Sequence, residues 1–210
     1  LRSLRLCGEN KIKNIQDFIY KYVGWASVPA MNAVGTKYFR LIRCFFMVRV
    51  GPAGSGGLGN LEGVRKVARM GLDCMEVEFT YGVRMSVDDA RKVGALAQEK
   101  DIILSVHAPY YINLASDEKD KLAASKKRLI DSCERAHALG ARCVVFHAGF
   151  YQEKTNVQTY GLIRKAILEI QGIIKKRRWE VQLCPEITGK PSQFGSVAEI
   201  TRLMQDTGCG

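Results

Sequence analysis

The sequence lacks the features that mark several large classes of protein. No apolar run approaches the roughly 18–20 residues of a membrane-spanning helix, and no segment has the layout of a secretory signal. The glycine-rich segment 51–59 has neither the Walker lysine nor the dinucleotide-binding fingerprint. The seven cysteines are odd in number and contain no CxxC pair. We therefore expect a globular cytoplasmic protein without a membrane association, whose cysteines stay reduced.

Acidic residues are too few to balance the basic ones. The 210 residues include 32 Lys or Arg and 21 Asp or Glu, so the net charge is +11. Such a charge suits a polyanionic partner such as nucleic acid. More than half of the excess lies in residues 1–46, which hold eight basic and two acidic side chains. The remainder of the chain is only moderately basic.

From Met47 onward, short β-rich runs alternate with helical patterns. This alternation predicts parallel strands joined by crossover helices. We expect an α/β fold of the TIM (β/α)8 type with about five βα units, because a complete barrel takes about 250 residues. We expect the strands to be buried on both faces. They are predicted at residues 48–50, 74–79, 102–106, 142–146 and 180–184.

Helix boundaries are indicated by capping residues. Polar side chains that accept hydrogen bonds from free N–H groups precede the helical patterns, and glycines follow two of them. The predicted starts are Asn60, Ser86 with Asp89 as a capping box, and Ser116 with Asp117. The predicted ends are Gly71 and Gly140.

Residues 1–46 do not share the alternation and are predicted to lie outside the barrel core. Met47 stands immediately before the first predicted strand, which favours upstream sequence translated in frame. A genuine extension and an organellar transit peptide are the alternatives. Residues 47–210 are expected to form a partial barrel that lacks about three units at its carboxyl end.

Metal-capable side chains follow three of the predicted strands. His107 ends the third strand, His147 follows the fourth, and Glu186 follows the fifth. In a parallel barrel the carboxyl ends of the strands form one rim, where the active site lies. Two imidazoles and a carboxylate suit Zn²⁺ or Mn²⁺. The remaining histidine, His137, falls within a helical stretch and is assigned to structure.

Two acids alternate along the second predicted strand. Glu76 and Glu78 are two residues apart, so they share one face of the strand, expected to be the barrel interior. A buried carboxylate needs a partner. Glu78 is therefore a candidate acid/base or metal ligand, with a salt bridge to Arg84 or another basic group as the alternative.

Three segments resemble the endonuclease IV family. Residues 107–116 (HAPYYINLAS) are similar to the family's third-strand signature, and 146–149 (FHAG) and 185–190 (PEITGK) follow in its order. The resemblance covers about residues 47–210. It implies a barrel similar in fold to xylose isomerase, three metal ions, usually zinc, and cleavage of damaged double-stranded DNA 5′ to abasic sites in base excision repair. It also implies a monomer when the barrel is complete.

The resemblance assigns roles to individual residues. His107, His147 and Glu186 match the ligands of the first metal, and Glu186, the predicted catalytic residue, also bridges to a second. Tyr110 matches a tyrosine at the DNA surface, and Asn113, in the same signature, is also expected to contact DNA. Arg84 matches an arginine that enters the damaged duplex. A rim-packing aromatic for Tyr110 and a surface cation for Arg84 are the alternatives.

The sequence also departs from the family. The remaining ligands of the family lie on strands six to eight, and no Asp-x-x-His segment occurs here. We therefore expect this chain alone to hold at most one metal well, to be inactive and to aggregate. A sugar isomerase or epimerase of the xylose isomerase type is one alternative function. A catalytically inactive barrel that binds nucleic acid is the other.

Overall fold

The computed structural model describes residues 49–210. The predictions for residues 1–46, and Val48 of the first predicted strand, lie outside the described residues. Within residues 49–210, no helix combines the length and apolar character that crossing a membrane requires.

Helices and strands alternate along the described residues. Each strand of the main sheet is followed, directly or after a short strand, by a helix that packs on the sheet. The helices are α1 (Asn60–Arg69), α2 (Val87–Glu99), α3 (Lys119–Leu139), α4 (Asn156–Arg177) and α5 (Val197–Thr207). The strands are β1 (Cys74–Glu78), β2 (Ile103–His107), β3 (Cys143–Phe146), β4 (Gly149–Phe150), β5 (Gln182–Pro185) and β6 (Gln193–Phe194).

The main sheet is parallel throughout. Its order is β1-β2-β3-β5, with each neighbouring pair parallel. Parallel neighbours require crossover connections, and the helices supply them. The α/β prediction is therefore confirmed. The strands β4 and β6 form a separate antiparallel ribbon, which links the loops after β3 and β5.

The first predicted strand is wrong in position. The described part of range 48–50 has no strand, and residues 50–54 instead run beside β1 through backbone hydrogen bonds. Only one bridge, between Ala53 and Glu76, is regular enough to count as pairing. Pro52 has no N–H to donate, and the glycines around it weaken a regular ladder. The described sheet accordingly has four strands rather than five.

One face of the sheet is much better buried than the other. Side chains that point toward the helices, such as Met75 and Val77, are at most 1% exposed, whereas Ile103 on the opposite face is 49% exposed. The prediction that the strands are buried on both faces is therefore wrong. The inner face of a barrel is covered only when the strands close into a ring. Four strands leave that face open.

The core lies between the sheet and the helices. Burying each large apolar side chain there contributes about 1.5–3 kcal/mol relative to leaving it in water. The largest buried side chains include Phe146, Phe194, Met75, Ile112, Leu114, Leu129, Ile163, Ile167 and Leu183.

Three predicted helix boundaries are confirmed. The Ser86 hydroxyl accepts a hydrogen bond from the Asp89 N–H at 3.0 Å and caps α2. Gly140 ends α3 in the left-handed conformation, with φ 70°. Gly71, with φ 69°, follows α1. The glycines adopt a conformation that side chains with a Cβ disfavour.

Two predicted capping positions are wrong, by one and by two residues. Asn60 is the first residue of α1, and the capping position belongs to Gly59, which offers no side chain. Ser116 is not a cap, because α3 begins at Lys119 with Glu118 before it. The Ser116 N–H instead donates to the Asn113 carbonyl. The chain at Ser116 therefore still belongs to the loop after β2.

Candidate metal centre

Three strand ends bring the predicted ligands together. His107 is the last residue of β2, His147 follows β3, and Glu186 follows β5. These strands are neighbours in the sheet, so their carboxyl ends share one rim. The potential ligand atoms of the three side chains all lie within 4.8 Å of one another. The structure thus assembles the cluster from residues up to 79 positions apart.

The carboxylate of Glu186 lies between the two imidazoles. Its Oε2 is 3.2 Å from Nε2 of His107 and 3.5 Å from Nε2 of His147. The ring centroids of the two histidines are 5.4 Å apart. Two nitrogen donors and one oxygen donor therefore face a common point.

The hydrogen bonding of His107 leaves a lone pair facing that point. Its Nδ1 is 2.7 Å from the carbonyl oxygen of Ala108. A carbonyl only accepts, so Nδ1 carries the proton, and in the neutral ring Nε2 has a lone pair. The ionised Glu186 carboxylate also only accepts. A cation at this point would be bound by the lone pairs of both His107 and Glu186. The residues present therefore fit a divalent metal.

The hydrogen bonding of His147 differs from that of His107. Its Nδ1 is buried and has no hydrogen-bond partner among the described residues. Burial lowers the pKa of His147; Glu186 acts in the opposite direction, and His107 and Lys190 add to the lowering. The lowered pKa favours the neutral form of the ring. A neutral imidazole is the form that binds metals.

Tyr110 packs against both imidazoles. Its ring centroid lies 5.2 Å from that of His107 and 5.7 Å from that of His147, and the residue is 45% exposed. Burial raises the pKa of its hydroxyl, and the charges of Glu78 and Glu186 raise it further. The structure therefore places Tyr110 on the rim of the cluster, partly packed and partly open to solvent.

The acids of β1 lie on the same side of the sheet as the cluster. Glu76 is half-buried and accepts a hydrogen bond from Ser105 at 3.4 Å. Burial raises the pKa of Glu76, and the nearby charge of His107 opposes this. Glu78 is exposed, and no ion pair joins it to Arg84 in the part of the chain that the structure describes. The salt bridge to Arg84 is therefore not formed within the described residues, and the role of Glu78 as acid/base or ligand stays a prediction.

The other two predicted DNA contacts, Arg84 and Asn113, have different surroundings in the structure. Arg84 is exposed in the segment between β1 and α2, and no hydrogen bond or ion pair within residues 49–210 ties it to the cluster. Asn113 uses its side-chain oxygen inside the protein, where it accepts from the N–H groups of Ala115 and Phe150. DNA contact stays a prediction for both residues.

Two features near the cluster were not predicted from the sequence. The β4–β6 ribbon consists of two-residue strands, which are too short to produce a periodic pattern. The Sγ atoms of Cys143 and Cys184 lie 2.7 Å apart on the open face of the sheet. Both cysteines occur in apolar runs, so their sequence context indicates only burial. Their proximity depends on the pairing of β3 with β5.

His137 lies in α3, away from the cluster. Its Nδ1 accepts a hydrogen bond from the backbone N–H of Glu180 at 3.3 Å. The assignment of this histidine to structure is therefore confirmed. It serves as an internal contrast to the two histidines at the strand ends.

Sequence comparisons identify relatives of the barrel part. A family model described as a xylose isomerase-like TIM barrel matches residues 64–209. The chain is 36% identical over 142 residues to an uncharacterised protein of Methanocaldococcus jannaschii, covering 68% of this chain and 51% of the relative. It is 30% identical over 126 residues to a probable endonuclease 4 of Metamycoplasma arthritidis, covering 57% and 41% respectively. The chain thus spans about half the length of these relatives.

Solved structures share the fold at low identity. A D-psicose 3-epimerase superposes with a TM-score of 0.61 at 19% identity, over 73% of this chain and 56% of the epimerase. Endonuclease IV of Thermus thermophilus superposes with a TM-score of 0.59 at 22% identity, over 75% and 58%. The predicted barrel class is confirmed by these matches together with the family model. The specific reaction lies beyond what a shared fold determines.

Proposed function

Since this chain belongs to the xylose isomerase-like TIM barrel family, we propose that it supplies the first metal site of a metal-dependent deoxyribonuclease. The proposed substrate is damaged double-stranded DNA, cut 5′ to an abasic site during base excision repair. The observation that carries this proposal is the cluster of His107, His147 and Glu186. The tyrosine-containing signature that follows His107 supports the nuclease over other members of the family.

The residues of the cluster would bind the metal ion, and the bound ion would orient the phosphodiester and neutralise its charge. His107 and His147 hold a divalent ion, zinc or manganese, through Nε2, and Glu186 holds it through a carboxylate oxygen rather than attacking the substrate. When bound, the ion lowers the pKa of water and polarises the phosphodiester. The lowered pKa of His147 favours the neutral imidazole, the form that binds metals.

The rim residues bind the DNA. Tyr110 presents a half-exposed ring beside the cluster, against which an extruded sugar or a neighbouring base packs. An abasic nucleotide has no base to unstack, so its extrusion costs less than that of an intact nucleotide. Arg84 supplies a cation for the phosphate backbone. The net charge of +11 favours association with DNA at low salt.

A sugar epimerase is the second candidate function. It is favoured by one observation, the carboxylates of Glu76 and Glu78 on the face of the sheet that carries His107. A carboxylate with a raised pKa, such as that of Glu76, suits proton transfer between adjacent carbons of a sugar. The likeness to D-psicose 3-epimerase is in fold only.

One experiment separates these functions. The chain is loaded with Zn²⁺ and titrated against a labelled duplex containing one abasic-site analogue, with the undamaged duplex as the control. We expect preferential, metal-dependent binding of the damaged duplex by this chain, and incision 5′ to the abasic site by the whole barrel. Interconversion of D-psicose and D-fructose by the whole barrel would support the epimerase instead. DNA binding that survives a chelator would indicate a barrel that binds DNA without catalysis.

A further inference from the structure

Asn113 connects the two loops that carry the histidines of the cluster. It lies in the loop after β2, six residues beyond His107. Its side-chain oxygen accepts from the Ala115 N–H at 3.1 Å, within its own loop, and from the Phe150 N–H at 3.2 Å, three residues beyond His147. One amide oxygen therefore uses its acceptor sites to join the loop after β2 to the loop after β3.

The backbone of the second loop is shaped to receive this oxygen. Gly149 has φ 155°, and a Cβ added there would lie 2.6 Å from the side-chain oxygen of Asn113. A glycine is needed both for that conformation and for the close approach. A second link, from the Leu114 N–H to the Ala148 carbonyl at 3.0 Å, runs beside the first. Together these contacts fix the residues that directly follow His147.

His147 depends on its backbone for orientation. A histidine that binds a metal usually donates its second ring N–H to a carbonyl or carboxylate, which sets the direction of the ring. His107 has such a partner in the Ala108 carbonyl, whereas Nδ1 of His147 has none among the described residues. The position of the His147 ring is therefore set by its packing and by the loop that Asn113 holds.

We infer that Asn113 is a positioning residue for the metal centre, which it serves by holding the His147 loop against the His107 loop. This inference rests on the proposed metal site and deepens it. It assigns Asn113 a role inside the protein, in place of the DNA contact suggested by its position in the signature. Loss of a group bonded directly to a metal ligand typically weakens metal binding about 10–100-fold, and Asn113, which acts on His147 through the loop backbone, is expected at the lower end of that range.

The test measures metal affinity and ligand geometry in the full 210-residue chain. Co²⁺ is titrated into the unsubstituted protein and into Asn113→Ala, and the dissociation constant and the visible absorption spectrum are recorded. We expect Asn113→Ala to weaken Co²⁺ binding at least about tenfold and to change the spectrum. Asn113→Asp keeps an oxygen acceptor for both N–H groups, and we expect it to restore the spectrum.

Ser125→Ala is the matched control. The Ser125 hydroxyl accepts from the Asn113 backbone N–H at 3.0 Å and donates to the Lys121 carbonyl. It stabilises the same loop without reaching the residues after His147. We expect Ser125→Ala to lower the free energy of unfolding but to leave the Co²⁺ spectrum unchanged. If Asn113→Ala does not fold, Asn113→Ser, which is too short to reach both N–H groups, takes its place.

The possible failures are distinguishable. An unsubstituted chain that gives no saturable Co²⁺ spectrum would overturn the metal centre, and the positioning role with it. A chain that binds Co²⁺ equally well, and with the same spectrum, after Asn113→Ala would overturn the positioning role alone. The same conclusion would follow if Ser125→Ala produced as large a spectral change as Asn113→Ala.

Discussion

Nε2 of His107 lies 3.2 Å from Oε2 of Glu186 while Nδ1 of the same ring donates to the Ala108 carbonyl. In the neutral ring the Nε2 lone pair thus faces a carboxylate oxygen, and the strand β3 lies between the two strands that carry these residues. Two acceptors in this arrangement repel each other unless a proton or a cation lies between them. The pair therefore defines a position for positive charge at the carboxyl end of the sheet.

Replacing a ligand of the cluster should reduce metal affinity without unfolding the protein. His147→Ala and Glu186→Gln are each expected to weaken Zn²⁺ binding by at least about 100-fold, since even the loss of an outer partner costs about 10–100-fold. His137→Ala is the matched control, because that histidine lies in α3. Titration calorimetry of the three variants measures the effect. Equal affinities in all three would refute the assignment.

Tyr110 should matter for DNA and not for the metal. Loss of aromatic stacking costs about 1–3 kcal/mol per base in other nucleic-acid complexes, so we expect Tyr110→Ala to weaken binding of the abasic duplex about tenfold or more. Tyr111→Ala is the control, because that neighbouring ring is 62% exposed. Arg84→Ala should also weaken binding and reduce its salt dependence. Fluorescence anisotropy measures all three, and an unchanged affinity for Tyr110→Ala would favour the rim-packing alternative.

Alanine substitution at two helical glycines should change the free energy of unfolding in opposite directions. A Cβ at Gly94 in α2 would lie 2.5 Å from the backbone oxygen of Leu139, where α2 contacts the end of α3. We expect Gly94→Ala to lower the free energy of unfolding by about 1–3 kcal/mol. Gly161 in α4 has no atom within 4 Å of an added Cβ, so Gly161→Ala should raise it by about 0.5–1 kcal/mol. Urea unfolding of both variants checks the signs.

Stability should fall in acid partly through Glu199. Burial opposes the ionisation of this carboxylate, but hydrogen bonds from Tyr151 and Ser196 outweigh it and lower the pKa of Glu199 in the folded state. A lowered folded-state pKa contributes stability above the unfolded value of about 4.3, and this contribution is lost as the pH falls through the folded pKa. Unfolding measured between about pH 7 and pH 3 should show the loss.

The Tyr151 hydroxyl lies 2.7 Å from both carboxylate oxygens of Glu199. Tyr151→Phe should therefore flatten the acid dependence and cost about 1–2 kcal/mol at pH 7, as expected for a partly exposed hydrogen bond to a charged group. Tyr81→Phe is the control, since Tyr81 is 74% exposed. An acid dependence in Tyr151→Phe as steep as in the unsubstituted chain would contradict the assignment.

Much of the fold could be predicted from local patterns. β1 alternates apolar residues with glutamates and β3 is an apolar run, and the positions of both strands agree with the prediction within one or two residues. Caps such as Ser86 depend on contacts three residues apart. These features follow from the sequence because each is decided by neighbours along the chain.

The candidate site could be predicted in composition but not in geometry. Parallel strands place their carboxyl ends on one rim, so the convergence of His107, His147 and Glu186 follows from the order of strands alone. The sequence does not predict the proton on Nδ1 of His107, the lack of a partner for Nδ1 of His147 among the described residues, or the packing of the Tyr110 ring against both imidazoles. Each depends on distances between residues that are remote in the sequence or on a rotamer that packing selects.

By itself, then, the sequence determined the alternation of strands and helices and the identity of the three candidate ligands, because these depend on local periodicity and on residue type at strand ends. Tertiary structure decided that only Ala53, beyond the first predicted strand, bridges to β1, that one face of the sheet stays open, and that Asn113 joins the two histidine loops. Those outcomes depend on how closely separate segments approach each other. Hydrogen bonds and steric contacts over a few ångströms decide that approach, and a linear pattern of residues does not encode it.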